Sequence, residues 1–341
     1  MKKDIKSMTL EELKASIAEI GEKPFKAGQI YSWLHKHNVD SFDEMTNISK
    51  DLRSYLEKNY YILTCSIEKK LISVYDGTVK YLFRLHDGEL IESVVMKYKY
   101  GYTICVSSQV GCRMGCNFCA SGIAGFIRNL SPSEILSQIY TAQKDLSVRI
   151  SHIVMMGVGE PLDNYDNVIK FLKMISDENG QNIGMRNISL STCGVVSGIY
   201  KLMEEKLQLT LSISLHAPND EIRSKTMPVN NKWNIDTLIN ACKEYIKVTN
   251  RRISFEYAMI NGVNDSDECA KELAKRLKGM LCHVNLIPVN SVKERKYTKS
   301  NRERILSFIN ILEKYGINAT VRRTLGSDIN ASCGQLRRGE K

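Results

Sequence analysis

Apolar residues recur with a helical period through the first part of the chain. Thr9-Leu10-Glu11-Glu12 has the spacing of a capping box, and apolar residues follow it at positions 10, 13, 17 and 20. The same pattern predicts two further helices, over residues 25–37 and 42–56. We therefore predict that the chain begins with a helical region.

The apolar period changes to two between residues 62 and 98. Asp76-Gly77 and Asp87-Gly88 stand between apolar runs, and Asp-Gly is a preferred sequence for hairpin turns. This stretch therefore predicts antiparallel strands. Together with the helices before it, it predicts a small α+β accessory domain over residues 1–98.

From residue 99 onward, short β patterns alternate with longer helical patterns. One helix has a clear start at Ser131-Pro132-Ser133-Glu134, which supplies an N-cap serine, a proline at the first helical position and a glutamate at the third. The alternation indicates an α/β fold of parallel βαβ units, and six or more units in series predict a full or partial barrel over residues 99–325. Functional groups in such folds lie at the carboxyl ends of the strands. The predicted strands cover residues 103–106, 152–156, 187–191, 210–214, 253–257, 283–287 and 319–322.

Composition and charge narrow the class of protein. The 341 residues carry 48 Lys and Arg against 38 Asp and Glu, for a formal net charge of +10. No window approaches the ~18 uninterrupted apolar residues of a membrane span, and no apolar run follows the first lysines as it would in a secretory signal. We expect a cytoplasmic protein that has no membrane partner.

The basic excess is concentrated near the C-terminus. Residues 291–341 hold 12 Lys and Arg against 5 Asp and Glu, a net of +7. Such a region suits binding to nucleic-acid phosphates, although charge alone is equally consistent with a solvated basic face. Arg113, Arg128, Arg322 and Arg323 lie near the motifs described below and favour RNA. We also expect the accessory domain over residues 1–98 to contact RNA, through Lys2, Lys3, Lys23 and Lys26.

Ten cysteines in a cytoplasmic chain are poor candidates for structural disulfides, so a cluster among them indicates metal or redox chemistry. Only Cys112-Arg-Met-Gly-Cys116-Asn-Phe-Cys119 is dense, and it follows a predicted strand. A structural zinc site needs four ligands, and no second cysteine pair or histidine pair lies nearby. Three thiolates suit a cubane iron–sulfur cluster that leaves one iron without a protein ligand and therefore open to chemistry.

The C-x-x-x-C-x-x-C spacing after the first strand of a βα series resembles the radical S-adenosylmethionine (SAM) superfamily. Further motifs narrow the resemblance to the bacterial dual-specificity RNA adenine-C2 methyltransferases, which act on 23S rRNA and tRNA. The resemblance runs from about residue 92 to the C-terminus and is weaker in the N-terminal domain. The motifs are Cys105-Val-Ser-Ser-Gln-Val-Gly-Cys112, Gly157-Val-Gly-Glu160-Pro161, Leu190-Ser-Thr192, Ser214-Leu-His-Ala-Pro218, His283-Val-Asn-Leu-Ile-Pro288 and Asp328-Ile-Asn-Ala-Ser-Cys333-Gly-Gln-Leu336.

This resemblance implies a partial (β/α)6-type radical SAM barrel and a set of cofactor contacts. Cys112, Cys116 and Cys119 would bind a [4Fe-4S] cluster whose open iron takes SAM. Gly159 and Glu160 would contact the amino group of SAM. Further contacts are implied at the strand-end residues Ser191, Ser214, Leu215, His216 and Asn290. Outside the motif, each of these residues would be assigned to local packing or backbone hydrogen bonding.

The resemblance also implies the roles of two cysteines far apart in the sequence. Cys333, on the C-terminal segment 326–341, would take a methyl group from one SAM by nucleophilic attack. A radical formed from a second SAM would then activate that methyl group for addition to adenine C2, because C2 has no nucleophilic lone pair. Cys105 would release the covalent adduct by forming a transient disulfide. Glu92 would accept the C2 proton, and in the absence of the motif would be assigned as a surface carboxylate.

Two alternatives stay open at this stage. The related adenine-C8 methyltransferases, which confer antibiotic resistance on ribosomes, share Cys105, Cys333 and the three cluster cysteines. From a different class, the chain could be a non-catalytic, zinc-stabilised RNA-binding protein. The predicted partners are 23S rRNA, tRNA and an electron donor of flavodoxin or ferredoxin type, and the expected state is a monomer. The five remaining cysteines are assigned to packing or solvent, namely Cys65, Cys193, Cys242, Cys269 and Cys282.

Overall fold

The computed structural model describes residues 2–339. Its α-helices are α1 (Leu10–Ala18), α2 (Phe25–His35), α3 (Lys50–Asn59), α4 (Pro132–Leu146), α5 (Tyr165–Ile175), α6 (Val196–Glu204), α7 (Asp220–Thr226), α8 (Ile235–Thr249), α9 (Asp267–Leu277) and α10 (Arg302–Lys314). Its strands are β1 (Lys3–Asp4), β2 (Tyr60–Tyr61), β3 (Ser66–Ile72), β4 (Val79–Arg84), β5 (Leu90–Tyr98), β6 (Gly101–Cys105), β7 (Gln109–Gly111), β8 (Phe126–Asn129), β9 (Ile150–Met155), β10 (Ile188–Thr192), β11 (Thr210–Ser214), β12 (Ile253–Met259), β13 (Cys282–Pro288) and β14 (Ala319–Val321).

Helix starts follow the capping signals of the sequence. Thr9 and Glu12 form the predicted capping box at α1, and Ser131 and Glu134 form the second one at α4. The single helix predicted over residues 42–56 is wrong in part. The chain instead forms a short 3-10 turn, Phe42–Glu44, and then begins α3 with Ser49 as its N-cap. A serine whose side chain accepts a hydrogen bond from a backbone N–H later in the chain begins a new helix and does not continue the preceding turn.

One ten-stranded sheet organises most of the chain, in the order β14-β13-β12-β11-β10-β9-β6-β5-β4-β3. Seven of its strands, from β6 to β14, are neighbours in parallel, and all seven strands predicted after residue 99 are confirmed. The strands β3, β4 and β5 add to this array as an antiparallel extension. The predicted domain boundary at residue 98 therefore lies in a turn within one continuous sheet.

Helices cover the parallel strands and bury a core that runs through the whole chain. Ile135, Leu136 and Ile139 of α4 and Phe308 of α10 are fully buried within it. Burial of side chains of this size stabilises the fold by roughly 1.5–3 kcal/mol each. The core is packed between the helices and the sheet. Polar side chains can therefore occupy the loops at the carboxyl ends of the strands.

The C-terminal segment returns to the antiparallel strands and is held there by polar contacts. Asp328 accepts hydrogen bonds from Ser73 Oγ (2.7 Å) and from the backbone N–H of Val74 (2.9 Å). Asp76 accepts from the N–H of Gly326 (2.9 Å), and Arg338 donates to Glu89 (2.9 Å). These contacts place Cys333 beside the carboxyl ends of the parallel strands. The last residues of the predicted segment, 340 and 341, lie outside the described residues.

Within residues 2–339, no helix has both the length and the apolar character needed to cross a membrane.

Candidate functional site

The carboxyl ends of the parallel strands surround one cavity of about 160 Å³, here called the central cavity. Parallel strands bring their carboxyl ends to one edge of the sheet, so residues distant in sequence meet there. Most of the predicted site residues line this cavity: Cys112, Cys116, Cys119, Gly159, Glu160, Ser191, Ser214, His216, Asn290 and Cys333. Three predicted residues do not line it, namely Glu92, Cys105 and Leu215.

The three clustered cysteines lie on the cysteine loop, residues 112–121, within the connection between β7 and β8. Gly111, the last residue of β7, precedes this loop with a φ of +76°, and a Cβ there would lie 1.8 Å from the carbonyl oxygen of Gly125. Only glycine permits that close approach. The N–H of Asn117 donates to the carbonyl of Thr226 (2.8 Å), the last residue of α7, and so ties the loop to the end of that helix.

Burial controls the protonation of two of these thiols. Removal from water raises the pKa of Cys112 to about 12 and also raises that of Cys116 well above its usual range. A bound metal favours the thiolate and releases the proton, so ligand binding at this loop would be coupled to deprotonation. Among the described residues, no three His, Cys, Asp or Glu side chains are arranged to hold a single metal ion.

Gly159 and Glu160 follow β9 and form one wall of the cavity. Gly159 has a φ of +105°, and a Cβ there would lie 2.6 Å from Cβ of Gln109. The buried carboxylate of Glu160 accepts hydrogen bonds from the N–H groups of Cys193 (2.7 Å) and Leu162 (3.0 Å). Burial raises the pKa of Glu160. Each carboxylate oxygen has more than one acceptor site, so Glu160 can still accept from an ammonium group in the cavity.

The ends of β10 and β11 contribute a polar pair and a neutral histidine. Ser191 Oγ and Ser214 Oγ lie 3.4 Å apart. His216 accepts a hydrogen bond at Nδ1 from the N–H of Ala258 (2.9 Å), and burial lowers its pKa to about 3. A neutral imidazole with an occupied Nδ1 carries its proton on Nε2, which makes that atom a donor. The side chain of Leu215 is fully buried in the core, because alternate side chains of an extended segment point to opposite sides.

Cys333 enters the cavity from the C-terminal segment. Its carbonyl accepts a hydrogen bond from Asn290 Nδ2 (3.0 Å), so Asn290 links β13 to this segment. The carbonyl of the next residue, Gly334, accepts from the N–H of Ala120 in the cysteine loop (2.8 Å). The segment that carries Cys333 is therefore bonded directly to the loop that carries the three clustered cysteines.

Cys105 lies behind the cavity wall at the end of β6. It packs in a small apolar cluster with Val158 and with Ala331 and Leu336 of the C-terminal segment. Burial and the nearby Cys333 raise the pKa of Cys105 to about 12. All ten cysteines are free thiols in the structure, so Cys105 packs against the segment that carries Cys333 without a disulfide between the two thiols.

Glu92 is held in a buried ion pair outside the central cavity. Its Oε1 lies 2.8 Å from Lys80 Nζ, and its Oε2 accepts from the N–H of Arg337 (2.8 Å). It shares a strand face with Val94, which is the register partner of Cys105. Glu92 is thus close to the second thiol, although both of its oxygens already have partners.

Some functional candidates were missed or misplaced by sequence reasoning. Glu256 of β12 is buried and lines the cavity, and Cys193, assigned to packing, lines it as well. Arg322, predicted to favour RNA, also lines the cavity. Arg128, likewise predicted to favour RNA, forms an ion pair with Glu134 at 2.8 Å. Glu256 lies in the middle of β12, and a charged residue within an otherwise apolar strand pattern was the signal that could have found it.

Two family models match the chain. Residues 3–62 match the N-terminal domain of the ribosomal RNA large subunit methyltransferases, and residues 106–273 match the radical SAM superfamily. The chain is 55% identical to a probable dual-specificity RNA methyltransferase RlmN of Clostridium novyi, over 98% of each chain. It is 58% identical to the corresponding protein of Alkaliphilus oremlandii, over 98% of this chain and 97% of that one.

This chain belongs to the RlmN family of radical SAM RNA methyltransferases. Membership confirms the predicted enzyme class and removes the zinc-stabilised binding protein as an alternative. A crystal structure of a radical SAM methyltransferase from Sphaerobacter thermophilus matches with a TM-score of 0.93 and 42% identity, over 98% of this chain and 99% of that one. The predicted partial barrel is thereby confirmed as a radical SAM fold.

The RlmN family implies an iron–sulfur cluster and SAM, and the residues of the central cavity fit both groups. Three thiols from one loop face the cavity, which suits a cluster that keeps one iron open. Gly159 leaves room where a side chain would collide with Gln109, and Glu160 supplies a carboxylate beside it. The donor set therefore combines soft thiolate ligands with acceptors suited to an amino acid moiety.

Proposed function

We propose that this RlmN-family enzyme methylates C2 of an adenine in 23S rRNA and of an adenine next to the anticodon in tRNA. The observation that carries the proposal is the position of Cys333. Its segment is bonded to the cysteine loop through Gly334 and Ala120, and it packs against Cys105 through Ala331 and Leu336. A methyl carrier needs access both to the methyl donor and to a resolving thiol.

Cys112, Cys116 and Cys119 would hold the [4Fe-4S] cluster. When bound, the cluster and two SAM molecules per turnover would supply the methyl group and the radical that activates it. Glu160 would accept from the amino group of SAM. The neutral His216, with its proton on Nε2, would donate to an oxygen or nitrogen of that cofactor. Ser191, Ser214 and Asn290 would complete the polar wall around it.

The two thiols would divide the transfer between them. The sulfur of Cys333 would accept the methyl group and become covalently joined to adenine C2 through that carbon. The adduct first formed would carry an unpaired electron, so it would have to give one electron back to the bound cluster as well as lose the C2 proton. The thiolate of Cys105 would then attack the Cys333 sulfur. The S–C bond would break with its electron pair going to the carbon attached to C2, and a Cys105–Cys333 disulfide would form. Protonation of that carbon yields the methyl group, and two electrons from a reductant restore both thiols.

Glu92 would act as the proton acceptor for C2. Its carboxylate is engaged by Lys80 and by the N–H of Arg337, so accepting a proton requires that one of these contacts open. Glu92 lies two residues from Val94, which is the register partner of Cys105. This proximity supports a role as proton acceptor over a purely structural role.

RNA would bind over the basic C-terminal region, where residues 291–341 carry a net charge of +7. Binding through phosphates should weaken steeply with salt. The adenine must leave its stack to reach the cavity, so the RNA has to unfold locally. A flavodoxin- or ferredoxin-type protein would deliver electrons, and the enzyme would act as a cytoplasmic monomer.

Anaerobic turnover with SAM, a reductant and an RNA fragment, followed by mass spectrometry of the nucleosides, tests the proposal. We expect 2-methyladenosine in both an rRNA fragment and a tRNA. Formation of 8-methyladenosine in its place would assign the enzyme to the C8 methyltransferases. Methylation of only one RNA class would contradict the proposed dual specificity.

A further inference from the structure

The turn between β5 and β6 alternates basic and aromatic residues, in the order Lys97-Tyr98-Lys99-Tyr100. Tyr98 pairs with Gly101 in the strand register, so Lys99 and Tyr100 form a tight two-residue turn. Basic and aromatic side chains together are typical of surfaces that bind single-stranded nucleic acid, because cations attract phosphates and rings stack on bases. This turn carries both kinds of side chain on one short segment.

The rings of Tyr98 and Tyr100 form a stack that fixes the orientation of Tyr100. Their planes are 6° from parallel, and their centroids lie 5.0 Å apart. The ring of His152, on β9, lies edge-on to that of Tyr100, with 4.7 Å between the centroids. Tyr100 nevertheless remains 61% exposed. A ring that is already oriented and still open to solvent can receive a planar group with little further loss of side-chain entropy.

The cations around this stack have no acidic partners. Lys97, Lys99 and Arg323 are exposed, and among residues 2–339 none of the three forms an ion pair. Arg337 of the basic C-terminal region, by contrast, is already paired with Glu294 at 2.9 Å. The positive charge beside the tyrosine stack is therefore available to phosphate groups.

The stack adjoins the place where the target adenine would react. Tyr98 and Arg323 line a small cavity together with Cys333 and Asn290. Cys333 and Asn290 also line the central cavity, so the two cavities meet at the methyl-carrier candidate. An adenine that leaves its stack to enter the central cavity also unstacks its neighbours in the strand. Tyr100 is well placed to give one of those neighbours a new stacking partner.

We propose that Tyr100, held by Tyr98, is a stacking platform for an unpaired RNA base next to the target adenine. Lys97, Lys99 and Arg323 bind the phosphates beside that base. The proposal deepens the proposed function and rests on it, since RNA has to be the substrate. Every base has a flat π-face, so such a platform holds RNA without reading its sequence. This property suits an enzyme proposed to act on two classes of RNA.

The test compares the affinities of full-length, cluster-loaded variants for a tRNA anticodon stem-loop in the absence of SAM. Tyr100→Ala removes the ring and should weaken binding about fivefold to 150-fold. Tyr100→Phe keeps the ring and should bind within about twofold of the unchanged protein. Tyr75→Ala is the matched control and should also stay within about twofold. Tyr75 is a 76% exposed tyrosine in the turn between β3 and β4, and it has no ring partner among residues 2–339.

An abasic nucleotide shows whether the ring of Tyr100 contacts a base. The stem-loop is prepared with one unpaired nucleotide at a time, on either side of the target adenine, made abasic. At the stacked position Tyr100→Ala should cause no further loss of affinity, whereas at the other positions its full effect should remain. Losses that simply add at every position would overturn the proposal.

The salt dependence of binding separates the ring from the charges. Lys99→Gln should reduce the slope of log affinity against log salt concentration by about 0.7, as expected for one lost phosphate contact to a single strand. Tyr100→Ala should leave this slope unchanged, because the ring is neutral. An unchanged slope in Lys99→Gln would overturn the phosphate contact.

Other results would also overturn the proposal. One is an equal affinity of Tyr100→Ala and the unchanged protein, and another is an equal loss in Tyr75→Ala. If Tyr100→Ala binds RNA normally but its cluster is reduced more slowly by a flavodoxin-type donor, the surface is a docking site for that protein. Because SAM is absent, a failure of C2 methylation would count against the proposed function and leave these affinities intact.

Discussion

Lys80 Nζ and Glu92 Oε1 form a buried ion pair at 2.8 Å between neighbouring strands β4 and β5. The same lysine donates to the carbonyl of Asn330 (3.0 Å), and the same glutamate accepts from the N–H of Arg337 (2.8 Å). Asn330 and Arg337 flank Cys333 on either side. One ion pair therefore fixes both ends of the stretch that presents Cys333.

Lys80→Met should release this stretch. Removal of one partner leaves a buried carboxylate uncompensated, which costs about 3–5 kcal/mol. We expect a lower free energy of unfolding in urea and faster trypsin cleavage after Arg337 and Arg338. Lys144→Met removes an ion pair with Asp40 in which both side chains are more than half exposed, and should leave both readouts nearly unchanged. Equal cleavage rates in the two variants would contradict the anchoring role of Lys80.

Gly159→Ala should weaken SAM binding. The added Cβ would lie 2.6 Å from Gln109, and alanine disfavours a φ of +105°. Strain of about 1–3 kcal/mol corresponds to a roughly fivefold to 150-fold loss of affinity, measurable by equilibrium binding to the cluster-loaded protein. Gly184→Ala is the control, because its φ is −60° and nothing lies within 4 Å of the added Cβ. Equal affinities for the two variants would contradict the close approach at Gly159.

Acid should destabilise the fold through its buried histidines. Burial lowers the pKa of His35 to about 3, against an ordinary value of 6.5. Below pH 6.5 the unfolded chain binds a proton that the folded chain does not, so this contribution to stability is complete above 6.5 and is lost as the pH falls towards 3. Between pH 7 and 5 the loss from His35 is about 2 kcal/mol. Urea unfolding should show a smaller pH dependence in His35→Gln; an identical dependence would contradict the buried neutral state.

Cys105→Ala should separate methyl transfer from product release. Without the second thiol, the covalent bond between Cys333 and RNA cannot be broken by disulfide formation. We expect a protein–RNA adduct on denaturing gels after anaerobic turnover, sensitive to ribonuclease. Cys282→Ala is a suitable control, since Cys282 lies at the opposite end of β13 from Asn290. Free methylated RNA from Cys105→Ala, without an adduct, would argue against the resolving role.

The elements of the fold were predictable because their signals are local. The capping boxes at Thr9 and Ser131 and the turns at Asp76-Gly77 and Asp87-Gly88 each depend on a few adjacent residues. The site motifs were found through family resemblance, and their convergence on one cavity follows from parallel strands. The family resemblance therefore identified the cysteine loop and the pair Gly159 and Glu160 from the sequence.

The remaining features depend on contacts between distant parts of the chain. Sequence did not indicate that Lys80 would meet Glu92 and Asn330, because the C-terminal segment had to be placed first. The prediction that Arg322 contacts RNA does not anticipate its place in the cavity, since an arginine near a motif gives no sign of which way its side chain faces. Glu256 lies inside β12, and the sequence likewise does not show which face of the sheet its side chain occupies. The direction of such side chains depends on packing that only the structure supplies.

In the proposed mechanism, Cys333 carries the methyl group that reaches the RNA. Anaerobic incubation of the cluster-loaded protein with methyl-deuterated SAM, followed by peptide mass spectrometry, tests this role of Cys333. We expect a labelled methyl group on Cys333 and its later recovery at adenine C2. Cys333→Ala should then show no label in either protein or RNA. Methylated RNA formed by Cys333→Ala, or label on another cysteine, would show that Cys333 is not the methyl carrier.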